Sequence, residues 1–533
     1  MQSTSVWPEP IVSAHEAHTR TPWWRGIAAT RLLLALAAVA IVRLWLMPLG
    51  SSFWVDEMAT AFVVRHGAAD PTLSVAPQVP ASLYYALPAV FGHWFGSSEL
   101  VYRVPSVLAM LAALGFIARI AARLIHRQAA WFAVFACLAL HDFSYQAADA
   151  RPYALGTLVA AAGIWCLIRW LDRGRWKHAL AFAAAAALLW RVHLIFWPAY
   201  LLFFLYAAFR LWRGQVAPRF ALQAGFVATA VAGSLIPVLA QALALQRQAG
   251  RHVVAALPQA SDLSEALKPA FILAFIAGAA LAARWCDWPK VRSVPPASSL
   301  LLIAGWWLCQ PLCLFAYSHA MGNSVFLERY LSLALPGVAL MATQAAAIFV
   351  PPRFWNTCAL ALGTVVLLLP GHWTQLWPAH HKSGWRTAAQ ILNSRIERPE
   401  TPVLCPSPFI EALPPVWRPG YPLGSFLYSH LLFYPVRGTT YPFPYEDSSE
   451  AESYATRLTS STLANSDRFF LYGAHTVQFW TAWFRIQPEL RGWRIERLGP
   501  FGDVDVIEFD RGSDGRSALS RRLGAPARLE ARN

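Results

Sequence analysis

Long apolar segments separated by short polar turns run through the first 370 residues of the chain. A helix rises about 1.5 Å per residue, so about 20 apolar residues cross the ~30 Å hydrocarbon core of a bilayer. The pattern therefore predicts about eleven membrane-spanning helices. The fifth segment is short, and it either tilts or forms one broken unit with the sixth. The predicted spans are approximately 27–48, 100–123, 128–146, 152–171, 178–190, 193–212, 219–245, 268–285, 298–318, 330–350 and 354–370.

Basic residues are concentrated in alternate turns of this pattern. The turns after the second, fourth, sixth and eighth spans are rich in arginine and include Arg123, Arg173, Arg213 and Arg284. Because arginine and lysine accumulate on the cytoplasmic side of a membrane, the N-terminus is predicted to be cytoplasmic. Residues 1–24 then form a cytoplasmic leader. That leader has no early apolar core with a cleavage site, so the first helix is predicted to remain as an anchor.

Residues 25–370 are thus predicted to form a transmembrane domain whose first outer loop covers 49–98. Two amphipathic, aromatic-rich stretches of that loop, 56–66 and 82–95, predict helices that lie in the membrane interface. After residue 371 the pattern changes to short apolar runs typical of strands, separated by helical segments. A small outward-facing α/β domain is predicted at 371–510, followed by a polar, basic and disordered tail at 511–533.

Composition supports a membrane class and excludes several others. The 533 residues are 56% hydrophobic and 14% charged, whereas soluble domains carry about a quarter charged residues. The net charge is +15, and the arginines that contribute to it lie beside apolar segments. Membrane topology and anionic lipids therefore explain the charge, and no nucleic-acid partner is expected. The seven cysteines form no CxxC pair, and they support neither a disulfide framework nor a zinc cluster.

Two adjacent carboxylates, Asp56 and Glu57, follow the first apolar span without a cation close in sequence. They could cap an interfacial helix, since aspartate is a favoured residue at a helix start. Alternatively, a carboxylate at the membrane surface can deprotonate a hydroxyl nucleophile. The spacing alone leaves both interpretations open.

Three arginines, Arg103, Arg151 and Arg329, fall at predicted outer helix ends, where the charge bias does not place them. Each could extend its charge to the interface, and Arg151 could pair with Asp149. Alternatively, because all three arginines are predicted on the face that carries Asp56, they could bind one anionic headgroup together. A planar guanidinium can bind two phosphate oxygens.

A metal site is a further candidate at the same face. His141, Asp142 and His193 are predicted near the outer surface, where they could bind a cation together with Asp56 or Glu57. A histidine at a helix end is more often a packed polar residue. No Gly-rich phosphate loop precedes a helix, so a soluble nucleotide site is not expected.

Taken in order, the motifs of residues 25–400 resemble glycosyltransferase family 39, a group of GT-C membrane enzymes. The group includes protein O-mannosyltransferases and bacterial lipid A aminoarabinose transferases. One departure is Pro80-Ala81-Ser82, where the family has His-Pro-Pro and where aminoarabinose transferases supply a lysine. The matching elements are Phe53-Trp54-Val55-Asp56-Glu57, Leu83-Tyr84-Tyr85, Tyr102-Arg103-Val104-Pro105-Ser106, Asp149-Ala150-Arg151-Pro152-Tyr153, His193, Glu328-Arg329-Tyr330-Leu331 with Leu335-Pro336, and Gly384-Trp385-Arg386.

The resemblance implies an inverting transferase in the bacterial inner membrane that uses a polyprenyl-phosphate sugar at the periplasmic face. Its acceptor is a hydroxyl or phosphate of a lipid, glycan or protein of the cell envelope. No cofactor is required, although a divalent metal is compatible. A lipid-linked sugar flippase without catalysis is the alternative. The implied residues are Asp56 and Glu57 for catalysis, Arg103, Arg151 and Arg329 for donor phosphate, and Tyr84, Tyr85, Asp149, Tyr153, His193 and Tyr330 for substrate.

Overall fold

The computed structural model describes residues 23–79, 82–247, 255–291, 295–368 and 377–512. The predicted leader up to residue 22 and the predicted tail from residue 513 lie outside these ranges. Nineteen α-helices occur in the described residues. They are α1 (Trp23–Ile41), α2 (Val55–His66), α3 (Ala86–Phe95), α4 (Glu99–Leu124), α5 (Ala130–Ala139), α6 (His141–Ala147), α7 (Tyr153–Arg173), α8 (Trp176–Val192), α9 (Pro198–Trp212), α10 (Phe220–Gln246), α11 (Ala260–Leu267), α12 (Pro269–Trp285), α13 (Ala297–Met321), α14 (Leu335–Ala346), α15 (Trp355–Leu368), α16 (Trp385–Arg395), α17 (Ser429–Phe433), α18 (Ser449–Leu458) and α19 (Val477–Arg485).

Each of the eleven predicted spans contains a helix. Among the described residues, seven helical segments are long and apolar enough to cross a membrane. The remaining predicted spans correspond to shorter helices, and α8 has 17 residues. The predicted class, a polytopic helical chain with a small C-terminal α/β domain, is confirmed. The seven segments are Ala28–Gly50, Glu99–Leu124, Tyr153–Arg173, Leu194–Trp212, Phe220–Gln246, Ala260–Trp285 and Ala297–Met321.

Two predicted spans are interrupted. The span predicted at 128–146 is divided into α5 and α6 at Leu140, whose backbone is extended with φ −80° and ψ 115°. The span predicted at 330–350 begins as a 3-10 helix, Glu328–Ala334, before α14. Hydropathy averaged over a span-length window does not locate either break, although α6 begins with the polar residues His141 and Asp142 and the 3-10 segment begins with Glu328 and Arg329. The two breaks place Asp142 and Arg329 at the starts of new helical turns.

The C-terminal domain is built on a five-stranded mixed sheet. Its strand order is β2-β1-β3-β5-β4, in which β1 pairs in parallel with β2 and β3, and β5 pairs antiparallel with β3 and β4. The apolar runs predicted β1, β3 and β5. The exposed strand β4 and the partly buried β2 were not predicted, because neither has a continuous apolar run. The strands are β1 (Pro402–Pro406), β2 (Thr439–Phe443), β3 (Arg468–Ala474), β4 (Arg494–Arg497) and β5 (Val504–Asp510).

The first loop and the sheet domain share one hydrophobic core. Phe53, Met58 and Tyr84 are buried in the same cluster as Trp385 and Phe470, whereas the membrane helices form a second cluster. Burying such side chains contributes about 1.5–3 kcal/mol each. The loop that carries the paired carboxylates is therefore held by packing against the sheet domain.

Polar contacts reinforce this attachment. The Phe53 N–H donates to the Tyr434 hydroxyl at 2.7 Å, and that hydroxyl donates to Glu99 Oε1 at 2.9 Å. Glu99 also pairs with Arg386, whose Nη1 donates to the Gly50 carbonyl at 2.9 Å. The backbone N–H of His380 donates to Ser51 Oγ at 3.0 Å. The segment that enters the sheet domain is thus bound to the backbone just before Asp56.

Candidate active site

Asp56 and Glu57 lie in the first turn of α2. The Trp54 N–H that precedes the helix points to Glu57 Oε2 at 3.4 Å, so Glu57 has part of the capping role that the sequence left open. The partial positive charge of a helix N-terminus also favours carboxylates at this position. The two neighbours differ in surroundings, because the Asp56 side chain is 21% exposed and that of Glu57 is 0% exposed.

Glu57 forms a bidentate ion pair with Arg103 on α4. Arg103 Nε donates to Glu57 Oε1 at 2.7 Å and Nη2 donates to Oε2 at 2.5 Å. The Ala150 N–H donates to Oε1 at 2.8 Å. Burial raises the pKa of Glu57, but the Arg103 guanidinium outweighs burial and lowers that pKa below its ordinary value. Glu57 is therefore an ionised, buried acceptor rather than an accessible one.

The other donors of Arg103 also have partners. Its Nη1 donates to the carbonyls of Leu49 and Ser51 at 2.9 and 2.7 Å, and Nη2 donates to the Ser52 carbonyl at 3.0 Å. The residue is 0% exposed. A guanidinium has five N–H groups, and these contacts occupy them. In this arrangement Arg103 holds the backbone before α2 and offers no free donor to a phosphate.

The accessible carboxylate of Asp56 lies beside two arginines. Arg329 Nε is 3.2 Å from Asp56 Oδ2. Arg151 Nη1 donates to the backbone carbonyl of Asp56 at 3.0 Å and to Thr60 Oγ1 at 3.4 Å. The buried Nε of Arg151 has no hydrogen-bond partner in the described residues. The structure therefore brings Asp56, Arg151 and Arg329 together, as the sequence predicted.

Asp149 is buried behind this group. Its Oδ1 accepts from Trp54 Nε1 at 3.1 Å and lies 3.5 Å from His380 Nε2. Burial raises the pKa of the Asp149 carboxyl, and the ionised Glu57 raises it further, whereas His380 and Trp54 oppose the rise. Asp149 does not pair with Arg151 through its side chain, although the Arg151 N–H donates to its carbonyl at 2.8 Å.

The remaining predicted substrate residues divide into two groups. Tyr153, His193 and Tyr330 form an aromatic cluster with ring centroids 5.6–6.3 Å apart, and the buried Tyr153 hydroxyl has no partner in the described residues. Tyr84 is 0% exposed, and its hydroxyl is 3.0 Å from Ser106 Oγ. The first group adjoins Arg329, because that guanidinium lies 5.4 Å from the Tyr330 ring. Tyr85 is 8% exposed and its ring packs edge-on against Tyr84.

Three further residues belong to the site without having been assigned a role from sequence. The Trp54 ring lies 5.7 Å from the Arg329 guanidinium and stacks on His381 at 5.2 Å. His380 reaches Asp149 from the segment that enters the sheet domain. The adjacent histidines lie three and four residues before the Gly384-Trp385-Arg386 motif, but no spacing rule connects them to Trp54, more than 300 residues earlier.

The predicted set of metal ligands does not assemble in the described residues. Asp142 Oδ2 is paired with Lys268 Nζ at 2.7 Å, and His193 Nδ1 accepts from the Ile195 N–H at 3.2 Å. Potential ligand atoms meet instead in Glu57, Asp149 and His380. Of these three residues, only Glu57 is among the metal candidates that the sequence predicts.

Comparison with known proteins agrees with this architecture. A family profile described as dolichyl-phosphate-mannose-protein mannosyltransferase matches residues 80–238. The crystal structure of ArnT from Cupriavidus metallidurans in the apo state aligns with a TM-score of 0.53 and 14% identity, over 92% of this chain and 99% of that chain. The same ArnT bound to undecaprenyl phosphate aligns with a TM-score of 0.51 and 12% identity, over the same shares. No curated protein matches the chain by sequence.

The chain therefore has the GT-C glycosyltransferase fold, as its motifs predicted, and resembles mannosyltransferases and aminoarabinose transferases. At identities this low the structural likeness concerns the fold, and a fold can support several functions. The family-model match over residues 80–238 and the fold together point to a membrane-embedded, multi-pass glycosyltransferase.

Proposed function

We propose that the chain is an inverting glycosyltransferase of the bacterial inner membrane that takes its sugar from a polyprenyl-phosphate donor. The reaction is placed at the outer face, with a hydroxyl or phosphate of a lipid, glycan or protein as acceptor. The observation that carries this proposal is the accessible Asp56 carboxylate beside Arg151 and Arg329. The similar fold of ArnT, which was crystallised with undecaprenyl phosphate, supports the class of donor.

Asp56 is assigned the role of general base. Its carboxylate takes the proton of the acceptor hydroxyl while that oxygen forms a bond to the anomeric carbon of the donor sugar. The bond from that carbon to the phosphate oxygen breaks at the same time, and its electron pair leaves with the polyprenyl phosphate. Attack from the opposite side inverts the anomeric configuration. Phosphate is a good leaving group, so the reaction does not need the second carboxylic acid that protonates the leaving oxygen in glycosidases.

Arg151 and Arg329 are assigned to the phosphate that becomes more negative as the bond breaks. Preorganised cations aimed at developing charge lower the barrier most when water is excluded. Arg329 contacts Asp56 through Nε, which leaves its two terminal nitrogens as candidate donors to phosphate. Arg151 contributes a buried Nε without a partner in the described residues. Glu57 and Arg103 are assigned positioning roles, because they bind each other in a buried ion pair and Arg103 also binds the backbone before α2.

Arg151→Ala is expected to weaken binding of the polyprenyl-phosphate donor about 10- to 100-fold. Hydrogen bonds to charged groups contribute roughly 1.5–3 kcal/mol, and each 1.4 kcal/mol is a factor of ten in Kd. Arg151→Lys should give an intermediate affinity, because it keeps the charge but loses the planar pair of donors. Titration of the purified variants with a fluorescent donor measures this. The matched control is Arg418→Ala at an exposed position of the sheet domain, and equal affinities for Arg151→Ala and wild type would remove Arg151 from the phosphate site.

Turnover of a labelled donor by the purified protein tests the activity itself. The protein, in detergent or in proteoliposomes, is incubated with a radiolabelled sugar linked to polyprenyl phosphate and with an envelope lipid or glycan extract. Release of polyprenyl phosphate, with the label transferred to an acceptor, is expected. A flippase would move the intact donor between leaflets and release none. Such movement without release would therefore reject catalysis in favour of transport.

A further inference from the structure

Glu57, Asp149 and His380 form a buried cluster from three distant parts of the chain. Their potential ligand atoms all lie within 4.8 Å of one another. Glu57 and Asp149 are 0% exposed and His380 is 8% exposed. α2, the turn before α7 and the segment entering the sheet domain each supply one of these residues. The cluster therefore depends on the docking of the sheet domain against the first loop.

Two atoms in this cluster lack hydrogen-bond partners in the described residues. They are Asp149 Oδ2 and His380 Nε2, and both are buried. The His380 nitrogen lies 3.5 Å from the other oxygen of Asp149. Leaving a buried polar atom without a partner costs about 1–3 kcal/mol, and more when the group is charged. The potential ligand atoms of these residues are close enough together for one bound ligand to contact both.

Glu57 can supply a third contact. Its Oε1 accepts from Arg103 Nε and the Ala150 N–H at 2.7 and 2.8 Å. Its Oε2 accepts one short hydrogen bond from Arg103 and only a long one, 3.4 Å, from the Trp54 N–H. A carboxylate oxygen has two acceptor positions, so Oε2 retains one that is weakly used. This oxygen is the ligand that Glu57 would offer.

We propose that Glu57, Asp149 and His380 bind one divalent first-row cation, Mn²⁺ or Zn²⁺. Two carboxylate oxygens and one imidazole nitrogen make a donor set of intermediate softness, which suits these ions better than Ca²⁺. Three protein ligands leave coordination positions open. The two carboxylates and Arg103 sum to −1, so a bound divalent ion leaves a charge of +1 in the cluster.

The site has a clear place in the chemistry, a step that rests on the proposed function. Glu57 follows Asp56 in the same helical turn, so the ion would lie near the carboxylate that takes the acceptor proton. A positive charge there stabilises the negative charge that develops on the leaving phosphate. Binding of the ion does not depend on that step and can be measured without any donor.

Metal binding by the full-length purified protein provides the test. The protein in detergent is stripped with a chelator and titrated with Mn²⁺ or Zn²⁺ by calorimetry, with the bound metal counted by elemental analysis. Wild type is expected to bind one equivalent per chain. His380→Ala and Asp149→Asn should each weaken binding at least about tenfold, the lower end of what disturbing a metal shell costs. His141→Ala, an exposed histidine outside the cluster, should bind like wild type.

A spectroscopic measurement keeps the proposal testable if those variants fail to fold. Pulsed electron paramagnetic resonance of Mn²⁺ on wild type should detect nitrogen coupling from one imidazole. Absence of saturable binding, absence of that coupling, or binding by folded His380→Ala equal to wild type would overturn the site. If no saturable metal binding is found, the alternative is a hydrogen bond in which Asp149 and His380 share a proton. Donor turnover is recorded separately: an enzyme that is active without metal would reject the catalytic role of the ion and retain the proposed function, whereas the binding measurements alone decide whether the site exists.

Discussion

Asp56→Asn is expected to lower turnover of the polyprenyl-phosphate donor by about 10²–10⁴-fold, the range for loss of a general base. The amide has nearly the shape of the carboxylate but cannot take the acceptor proton. It also no longer neutralises Arg329, which lies 3.2 Å from the carboxylate, so donor affinity should stay the same or rise. Loss of turnover with retained donor binding is the signature of this role. The measurement combines initial rates with donor titration on the same preparation.

Asp447→Asn provides the matched control, because Asp447 is an exposed aspartate of the sheet domain. It should leave turnover and donor binding unchanged. The thermal stability of Asp56→Asn should fall less than that of Glu57→Gln, since the Asp56 side chain is 21% exposed and that of Glu57 is 0% exposed. Normal turnover by Asp56→Asn would show that another group takes the proton.

Sequence patterns predicted the class of fold because apolar length and strand-like runs are local properties. They placed helices at all eleven spans and identified β1, β3 and β5. They missed the break at Leu140 and the 3-10 start before α14, both of which lie within or at the end of a predicted span. They also missed α11, a short helix of eight residues of which four are polar and none is buried. Local geometry within an apolar run is decided by packing, which hydropathy does not record.

The sequence predicted which residues form the candidate site better than it predicted the role of each residue. Charged residues in unexpected places pointed to Asp56, Arg151 and Arg329, and the structure brings these three together. The sequence could not separate Asp56 from Glu57, because adjacent helix residues point in different directions and their burial depends on Arg103 from another helix. It could not find His380 either, since the contact with Asp149 joins residues far apart in the chain.

The pair of Glu57 and Arg103 explains why the accessible carboxylate has a fixed position. Arg103 binds Glu57 with two hydrogen bonds and also binds three backbone carbonyls of the segment before α2. Ion pairing at 0% exposure contributes less to net stability than its short distances suggest, because both charges lost their hydration. Its consequence is specificity of geometry: the start of α2 cannot rotate without breaking these contacts. The same contacts fix the backbone of Asp56, the preceding residue, and so fix the direction of its side chain.

Glu57→Gln is therefore expected to destabilise the folded protein by about 3–5 kcal/mol, the usual result of leaving one buried charge without its partner. Thermal unfolding in detergent should show a lower Tm, and turnover should fall with it because α2 loses its anchor. The double variant Glu57→Gln with Arg103→Met removes both charges and should recover much of the stability while turnover stays low, because the carbonyls before α2 remain unbound. Glu397→Gln makes the same substitution at a 76% exposed side chain and should change Tm little. A Glu57→Gln protein with wild-type Tm would mean that Arg103 is not buried against this carboxylate. A double variant no more stable than Glu57→Gln would mean that the first loop is held by the carbonyl contacts of Arg103 rather than by its charge.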